Sequence, residues 1–388
     1  SSPSTPKGPS GGGSFTGRGK SCFYECQSLR CDLPFPETGF GAEKEVDVKG
    51  NIPIAVHNLG SPEGERLDFT REKLYARMTA TLMALAVRIP IYLVSEAQMD
   101  HLYPPERRRF FPEELLRQRL RALRERGPGE EGEDPFAPLE DLDRSGEDLW
   151  GRVKEVVAVG LYVRKAMEKP VKERVLHLGE EGGRTGEAEE AFLAHVGPAV
   201  FLCPERVVGW ASREGIPVSL VQDKVYYHEL GHALMDTADS FPDPYRESWG
   251  RVVEESLANL VAFKQFRGKE AAGVARLIQG QPPEYRGYAA AAAFPEFFPF
   301  FPFREVWEEW FREMRQEWWW RYRRFLEDLP WRLRRILEEA PWPAYWFSSP
   351  GGLLNLWRES KRRGLWRDHH VRVFWRAVAR MLLEEAIA

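Results

Sequence analysis

Two histidines one helical turn apart are the residues of this chain with the clearest chemical potential. The segment 226–235 reads YYHELGHALM, so His228 and His232 are four positions apart and Glu229 directly follows the first. Residues four apart lie on one face of an α-helix, and their imidazole nitrogens can bind the same metal ion. Glu229 would lie beside water bound to that ion, where a carboxylate can act as a general base. The spacing therefore predicts a catalytic zinc site.

A third protein ligand has to come from elsewhere, because a catalytic zinc site has three protein ligands and one open position. The next predicted helix carries Glu254 and Glu255. Two prolines in the segment 240–248 can reverse the chain, so that the two helices face each other. Asp236 and Asp239 are less suitable, because a residue one turn along the same helix points poorly at the metal. We therefore expect a glutamate of the second helix to complete the site.

This arrangement resembles the gluzincins, zinc peptidases in which HExxH is followed by a glutamate ligand on a second helix. In that family the ligand is often followed four residues later by Asp or Asn, which supports the first histidine. Glu255 with Asn259 matches this spacing, whereas Glu254 would pair with Ala258. The resemblance covers residues 198–266. It implies one zinc ion per chain, a supporting role for Asn259, Glu254 as the reserve ligand, and three ligands: His228, His232 and Glu255.

The resemblance also implies a function. A zinc-dependent peptidase, in the first instance an endopeptidase, would hydrolyse peptide bonds with metal-activated water, and Glu229 would move the proton to the leaving amine. Zincins bind an extended peptide along a strand edge that precedes the HExxH helix; residues 199–203 are the candidate edge, with an internal strand as the alternative. The donors to the oxyanion stay unassigned among four residues: Tyr285, Tyr288, His369 and His370.

Composition narrows the choice of partners. The chain has 388 residues with 55 basic and 59 acidic side chains, so its net charge of -4 does not favour nucleic acid as a partner. Within the aromatic segment 307–324, glutamates alternate with arginines, which favours ion pairs along a helix. The expected partner is a protein or peptide substrate. The alternative function is that of a zinc-containing binding or regulatory protein whose C-terminal helices recognise a protein or nucleic-acid partner.

Neither a transmembrane run nor a secretory signal is recognisable, so the expected location is cytoplasmic and no membrane partner is expected. The abundance of Arg, Pro, Glu and Trp is typical of a thermophile or a GC-rich genome. Three clustered cysteines, Cys22, Cys26 and Cys31, leave three alternatives open: a metal site, a disulfide with one spare thiol, or reduced thiols.

The predicted fold class is α+β and mainly helical, with a zincin-like core, a small sheet beside the HExxH helix and an aromatic-rich helical C-terminal region. The predicted regions are a disordered tail (1–20), an N-terminal region with the cysteine cluster and helices (21–127), an acidic linker or loop (128–148), the zinc peptidase core (149–293) and a Trp/Arg-rich helical region (294–388).

Periodicity and breaker residues give the predicted elements. Helices are expected from residue 70 onward and at 112–126, 149–167, 204–211, 223–238 and 249–263. Strands are expected at 171–178 and 199–203, and a short apolar run spans 89–94.

Overall fold

The computed structural model of the chain describes the greater part of the sequence around the HExxH motif. The described residues are 54–109, 117–118, 153–180, 184–236, 244–293, 352–367 and 369–387. Several predictions lie outside them: the tail 1–20, the cysteine cluster, the linker 128–148, most of the helix 112–126 and the segment 294–351. Within the described residues helices predominate beside one small four-stranded sheet, which confirms an α+β, mainly helical fold.

The strands are β1 (Val56–Asn58), β2 (Ile91–Leu93), β3 (Glu106–Arg109), β4 (Val153–Val156), β5 (Gly160–Val163) and β6 (Ala199–Leu202). The helices are α1 (Glu72–Ala76), α2 (Ala80–Arg88), α3 (Glu96–Leu102), α4 (Lys169–Leu178), α5 (Gly186–Ala194), α6 (Pro204–Glu214), α7 (Val218–Met235), α8 (Ser248–Lys264), α9 (Gly268–Gln279), α10 (Pro283–Arg286), α11 (Tyr288–Ala293), α12 (Gly352–Arg362) and α13 (His369–Ala386). Three 3-10 turns span Gly64–Arg66, Pro244–Arg246 and Leu365–Arg367.

The main sheet has the strand order β1-β2-β6-β5. The first three strands are parallel, and β5 runs antiparallel to β6 with Leu161 opposite Phe201. The strand predicted at 199–203 is confirmed as β6, and of the two positions left open for it the internal one is confirmed, because β2 and β5 pair with it on both sides. All four of its residues are buried, as expected for an apolar strand covered on both faces. Among the described strands, the terminal one near the motif is β5.

Two predicted elements are wrong. The segment predicted as a helix at 149–167 contains β4 and β5, because its β-branched valines favour a pleated strand over a helix. The segment predicted as a strand at 171–178 lies in α4. Pro170 occupies its first turn, where proline fits a helix, and Val175 and Leu176 form its buried side.

The HExxH helix α7 is the central element of the core, and almost all of its residues are buried. A helix that is apolar around most of its circumference has to be covered on several sides. The sheet, α6, α8 and α9 provide this cover, and the longest packed interface is the one with α8. At that interface, a Cβ on Gly231 would lie only 2.9 Å from the Ala258 Cα. Gly231 thus permits the close approach of the two helices.

Helices α12 and α13 belong to the same hydrophobic core as α7 and α8. Trp249 at the start of α8 contacts Trp357 of α12, with ring centroids 6.0 Å apart, and Trp357 contacts Trp375 of α13 at 4.7 Å. The indole N–H of Trp375 donates to Ser360 Oγ at 3.0 Å. In this described part of the aromatic C-terminal region, tryptophans are therefore core residues. None of the described helices has both the length and the apolar composition needed to cross a lipid bilayer.

We expect Gly231→Ala to lower the stability of the fold and to weaken metal binding. The added methyl would push against the backbone of α8, and overpacking of this kind costs about 1–3 kcal/mol, whereas the gain in helix propensity is at most about 1 kcal/mol. Thermal unfolding and metal titration measure the two effects.

Gly209→Ala on α6 is the matched control. Its added methyl would meet only the end of the Arg213 side chain, 3.6 Å away. This variant should be more stable by about 0.5–1 kcal/mol, because alanine favours the helical backbone. Equal stability of the two variants would contradict the close contact between α7 and α8.

Candidate metal centre

His228, His232 and Glu255 meet at one point between α7 and α8. Glu255 Oε2 lies 3.1 Å from His228 Nε2 and 3.4 Å from His232 Nε2, and the two Nε2 atoms are 3.2 Å apart. One ligand atom from each residue lies within 4.8 Å of the other two. The three residues predicted as ligands are thus brought together in an arrangement that could hold a metal ion.

Local helix geometry explains this convergence. His228 and His232 are one turn apart on α7, so their rings project from the same face, 4.8 Å apart between centroids. Helix α8 follows after a chain reversal and packs along α7 at Gly231. Position 255 of α8 faces the histidines, and its side chain is only 3% exposed.

The neighbouring carboxylate, Glu254, points to a different partner. Its Oε1 accepts a hydrogen bond from Lys361 Nζ of α12 at 2.9 Å, and both side chains are almost fully buried. Adjacent residues on a helix are about 100° apart around its axis, so they cannot both face α7. The reserve ligand of the sequence prediction is therefore engaged in a buried ion pair, and Glu255 occupies the cluster.

The His232–Glu255 pair has strongly shifted proton affinities. Burial alone would lower the pKa of His232, but the attraction and hydrogen bond of Glu255 outweigh it and raise that pKa from 6.5 to about 9. Burial would raise the pKa of Glu255, but His232 and hydrogen bonds from both histidines hold it well below its usual range. Without metal, the pair is an imidazolium and a carboxylate near neutral pH.

His228 has the opposite shift. Burial and then the positive charge of Lys224 lower the pKa of His228 to about 4, although Glu255 opposes them. Lys224 lies one turn before His228 on α7 and is fully buried. Its ammonium donates to Gln281 Oε1 at 3.0 Å and lies 5.3 Å from the ring centroid of Trp210. Burial, assisted by the lysine, thus keeps His228 neutral, which is the protonation state that binds a metal.

Glu229 lies next to the cluster without being part of it. Burial raises the pKa of its carboxyl from 4.5 to about 7; His232 lowers it, Glu255 raises it, and a hydrogen bond from the Tyr162 backbone lowers it. Tyr162 belongs to β5, so the terminal strand of the described sheet is in contact with this carboxylate. A carboxylate with a pKa near 7 can both accept and return a proton at neutral pH.

Asn259 lies one turn after Glu255 and is fully buried. Its Nδ2 donates to Gln281 Oε1 at 3.2 Å and to the carbonyl of Tyr285 at 2.8 Å. Its Oδ1 and the Nδ1 of His228 have no hydrogen-bond partner among the described residues. A histidine that binds metal through Nε2 carries a proton on Nδ1 and normally donates it to an acceptor such as an amide oxygen. Asn259 Oδ1 is such an acceptor, and a protonated His228 Nδ1 is a donor, so the two atoms suit each other chemically.

The site contains residues that the sequence interpretation did not single out. Tyr245 donates its hydroxyl to Glu255 Oε1 at 2.5 Å, and Lys224 and Gln281 lie beneath the histidines. Lys224 has a signal in the sequence, since it is four positions before His228 on the same helix. Tyr245 has none, because it lies in the turn between the two helices.

Of the four residues left open as oxyanion donors, Tyr285 lies beside the cluster, with its ring centroid 6.1 Å from that of His228. Tyr288 packs against Phe263 at 4.8 Å, in a core position. The side chains of His369 and His370 lie outside the described part of the structure.

The donor set fits a divalent metal ion. Two imidazole nitrogens and one carboxylate oxygen converge from two packed helices, and Glu255 Oε2 lies buried between the two Nε2 atoms. The Glu255 carboxylate and the neutral His228 are already in the protonation states that bind a metal ion. His232 would reach that state once it has lost its proton.

The two glutamates should differ sharply in their effect on metal affinity. Glu255→Gln should weaken binding by more than the roughly 10- to 100-fold typical of losing an outer partner, because a ligand is lost. Glu254→Gln is the matched control: its amide oxygen can still accept from Lys361, and the affinity should change little. Competition titrations with a chromophoric chelator measure both. The reverse order of affinities would make Glu254 the ligand.

In the metal-free protein, His232 should stay protonated up to a pH of about 9, while His228 stays neutral above about pH 4. NMR titration of the imidazole nitrogens after chelator treatment measures both values. Because the pKa of folded His232 exceeds the unfolded value near 6.5 and that of Glu255 lies below its unfolded value near 4.5, the pair stabilises the metal-free fold fully between about pH 4.5 and 6.5. This contribution is lost as the pH rises through about 9, and it also falls as the pH drops below about 4.5. In Glu255→Gln, burial dominates and the pKa of His232 should fall below 6.5; an unchanged value would contradict the pairing.

Comparison with known proteins gives no further information about this site. The resemblance to gluzincins stays a prediction from the motif at 228–232 and the spacing of Glu255 and Asn259. The chain gives no match to protein-family models, to curated proteins or to solved structures.

Proposed function

We propose that this protein is a zinc-dependent peptidase that hydrolyses peptide bonds with Glu229 as the general base. The observation that carries the proposal is that one buried site contains three residues able to hold a metal ion and, beside them, a carboxylate that is not one of the three. His228, His232 and Glu255 form a ligand set, while Glu229 lies beside them with a pKa of about 7. A purely structural metal site has four protein ligands and needs no base.

Zinc is the metal that best suits this donor set. Two imidazoles and one carboxylate, with a fourth position left to water or substrate, are typical of catalytic zinc sites. When bound, zinc lowers the pKa of its water to about 7 and polarises the scissile carbonyl. Glu255 brings one negative charge to the site, which partly balances the charge of the ion.

The part played by Glu229 follows from its surroundings. Its carboxylate accepts the proton of the attacking water and then delivers it to the leaving amine. The backbone of Tyr162 holds the carboxylate by a hydrogen bond. Burial keeps the carboxyl pKa near 7, so that both transfers can occur at neutral pH without a large energetic penalty.

Strand β5 is the candidate for the edge that binds the substrate. Cys203 donates its backbone N–H to the carbonyl of Val159 at 3.0 Å. Since backbone groups alternate along an antiparallel strand, those of Leu161 then face β6, whereas those of Gly160 and Tyr162 face away from it. The N–H of Tyr162 is donated to Glu229, so an extended peptide could add as a strand on that side through the remaining backbone groups, next to Glu229. The proposed function includes three further expectations. They are a zincin-like core, a protein or peptide as the partner, and a cytoplasmic location.

Glu229→Gln should abolish hydrolysis while leaving the metal site intact. The amide keeps the size of the side chain but cannot accept the proton, and general-base assistance is worth roughly a hundred- to ten-thousand-fold in rate. A peptide library derived from a digested proteome, incubated with the zinc-loaded protein and analysed by mass spectrometry, measures the cleavage. Zinc content should remain one per chain, and the thermal stability should stay near that of the wild type.

His228→Ala and His232→Ala provide the opposite control, since each should lose both the zinc and the activity. Undiminished cleavage by Glu229→Gln would show that Glu229 is not the base. If the zinc-loaded wild type cleaves no peptide of the library, the alternative function, a zinc-containing binding or regulatory protein, replaces the peptidase.

A further inference from the structure

Tyr245 is the described side chain that forms a hydrogen bond with Oε1 of Glu255, the carboxylate oxygen on the side away from the histidines. It lies in the 3-10 turn Pro244–Arg246, just before α8, and is 8% exposed. Its hydroxyl donates to Glu255 Oε1 at 2.5 Å, while Oε2 of the same carboxylate faces the two histidines. The two oxygens thus have different partners.

We propose that Tyr245 is a positioning residue that restricts Glu255 to binding the metal through one oxygen, Oε2. The proposal rests on the metal site of the proposed function. A carboxylate can bind zinc through one oxygen or through both, and the second mode raises the coordination number and crowds the position needed for water or substrate. A hydroxyl donor on Oε1 favours the first mode, because bidentate binding would require this hydrogen bond to be given up.

The surroundings of Tyr245 hold its ring in place independently of the hydroxyl. The ring centroid lies 6.4 Å from that of His232 in an edge-on arrangement, and the guanidinium of Arg251 lies 5.7 Å above it. The turn itself is pressed against the first turn of α8, since a Cβ on Gly250 would lie 2.0 Å from the carbonyl oxygen of Pro244. The hydroxyl is therefore presented to Glu255 by a rigid segment.

Tyr245→Phe tests the proposal, because it removes the hydroxyl and keeps the ring contacts with His232 and Arg251. We expect a roughly 10- to 100-fold loss of Zn²⁺ affinity, the usual effect of losing an outer partner of a ligand. We also expect a change in the visible spectrum of the Co²⁺-loaded protein, from the strong bands of a four-coordinate ion toward the weaker bands of a five-coordinate one, as Oε1 joins the metal.

Tyr226→Phe is the matched control. Tyr226 is also buried, on α7, but its hydroxyl has no hydrogen-bond partner among the described residues. Affinity and the Co²⁺ spectrum should remain those of the wild type. A second measurement needs no variant: infrared spectra of the Zn²⁺-loaded wild type with ¹³C-labelled glutamate should show the wide splitting of carboxylate bands typical of one-oxygen binding.

The outcomes separate the two proposals. If the wild type binds neither Zn²⁺ nor Co²⁺, the proposed function fails, and the role of Tyr245 fails with it. If the wild type binds metal but Tyr245→Phe matches Tyr226→Phe in affinity and spectrum, only the positioning role is overturned. Narrow splitting in the wild-type infrared spectrum overturns it as well, even if Tyr245→Phe does not fold. Unchanged metal binding with a lower kcat would place the hydroxyl in the reaction instead.

Discussion

Charge buried between α7 and α8 is the constraint on which the site depends. Glu255 and Glu254 are adjacent carboxylates in a region without solvent, and ionised groups in such a place need opposite charges close by. Glu255 faces His232, and Glu254 faces Lys361 of α12. Each glutamate therefore has its own cation, supplied by a different part of the chain. This division explains how two like charges can occupy neighbouring positions of one buried helix.

The same constraint sets the protonation states of the remaining groups. Lys224, buried one turn before His228, keeps that imidazole neutral, whereas Glu255 keeps His232 charged until a metal ion takes the place of its proton. Metal binding at this site is consequently an exchange of one cation for another beside the same carboxylate.

Much of the site could be predicted from the sequence, because its geometry is local. A spacing of four residues fixes the relation of His228 to His232, and the next helix offers only two candidate glutamates. The choice between these, argued from Asn259, agrees with the position of Glu255 beside the histidines. Contacts between distant segments carried no such signal: Lys361 is 107 residues from Glu254. Two element assignments failed for a related reason, since the form of the short segments 149–167 and 171–178 is decided by the sheet and helices around them.

The ion pair between Glu254 and Lys361 has a consequence for the synthesis of the protein. The ribosome produces α7 and α8 before it reaches Lys361, which follows Glu254 by 107 residues. At ordinary elongation rates this interval lasts roughly 5 to 20 seconds. During that time the ammonium of Lys361 has not yet been made. The buried ion pair that joins α8 to α12 is therefore a late contact, which can form only after both helices have been synthesised.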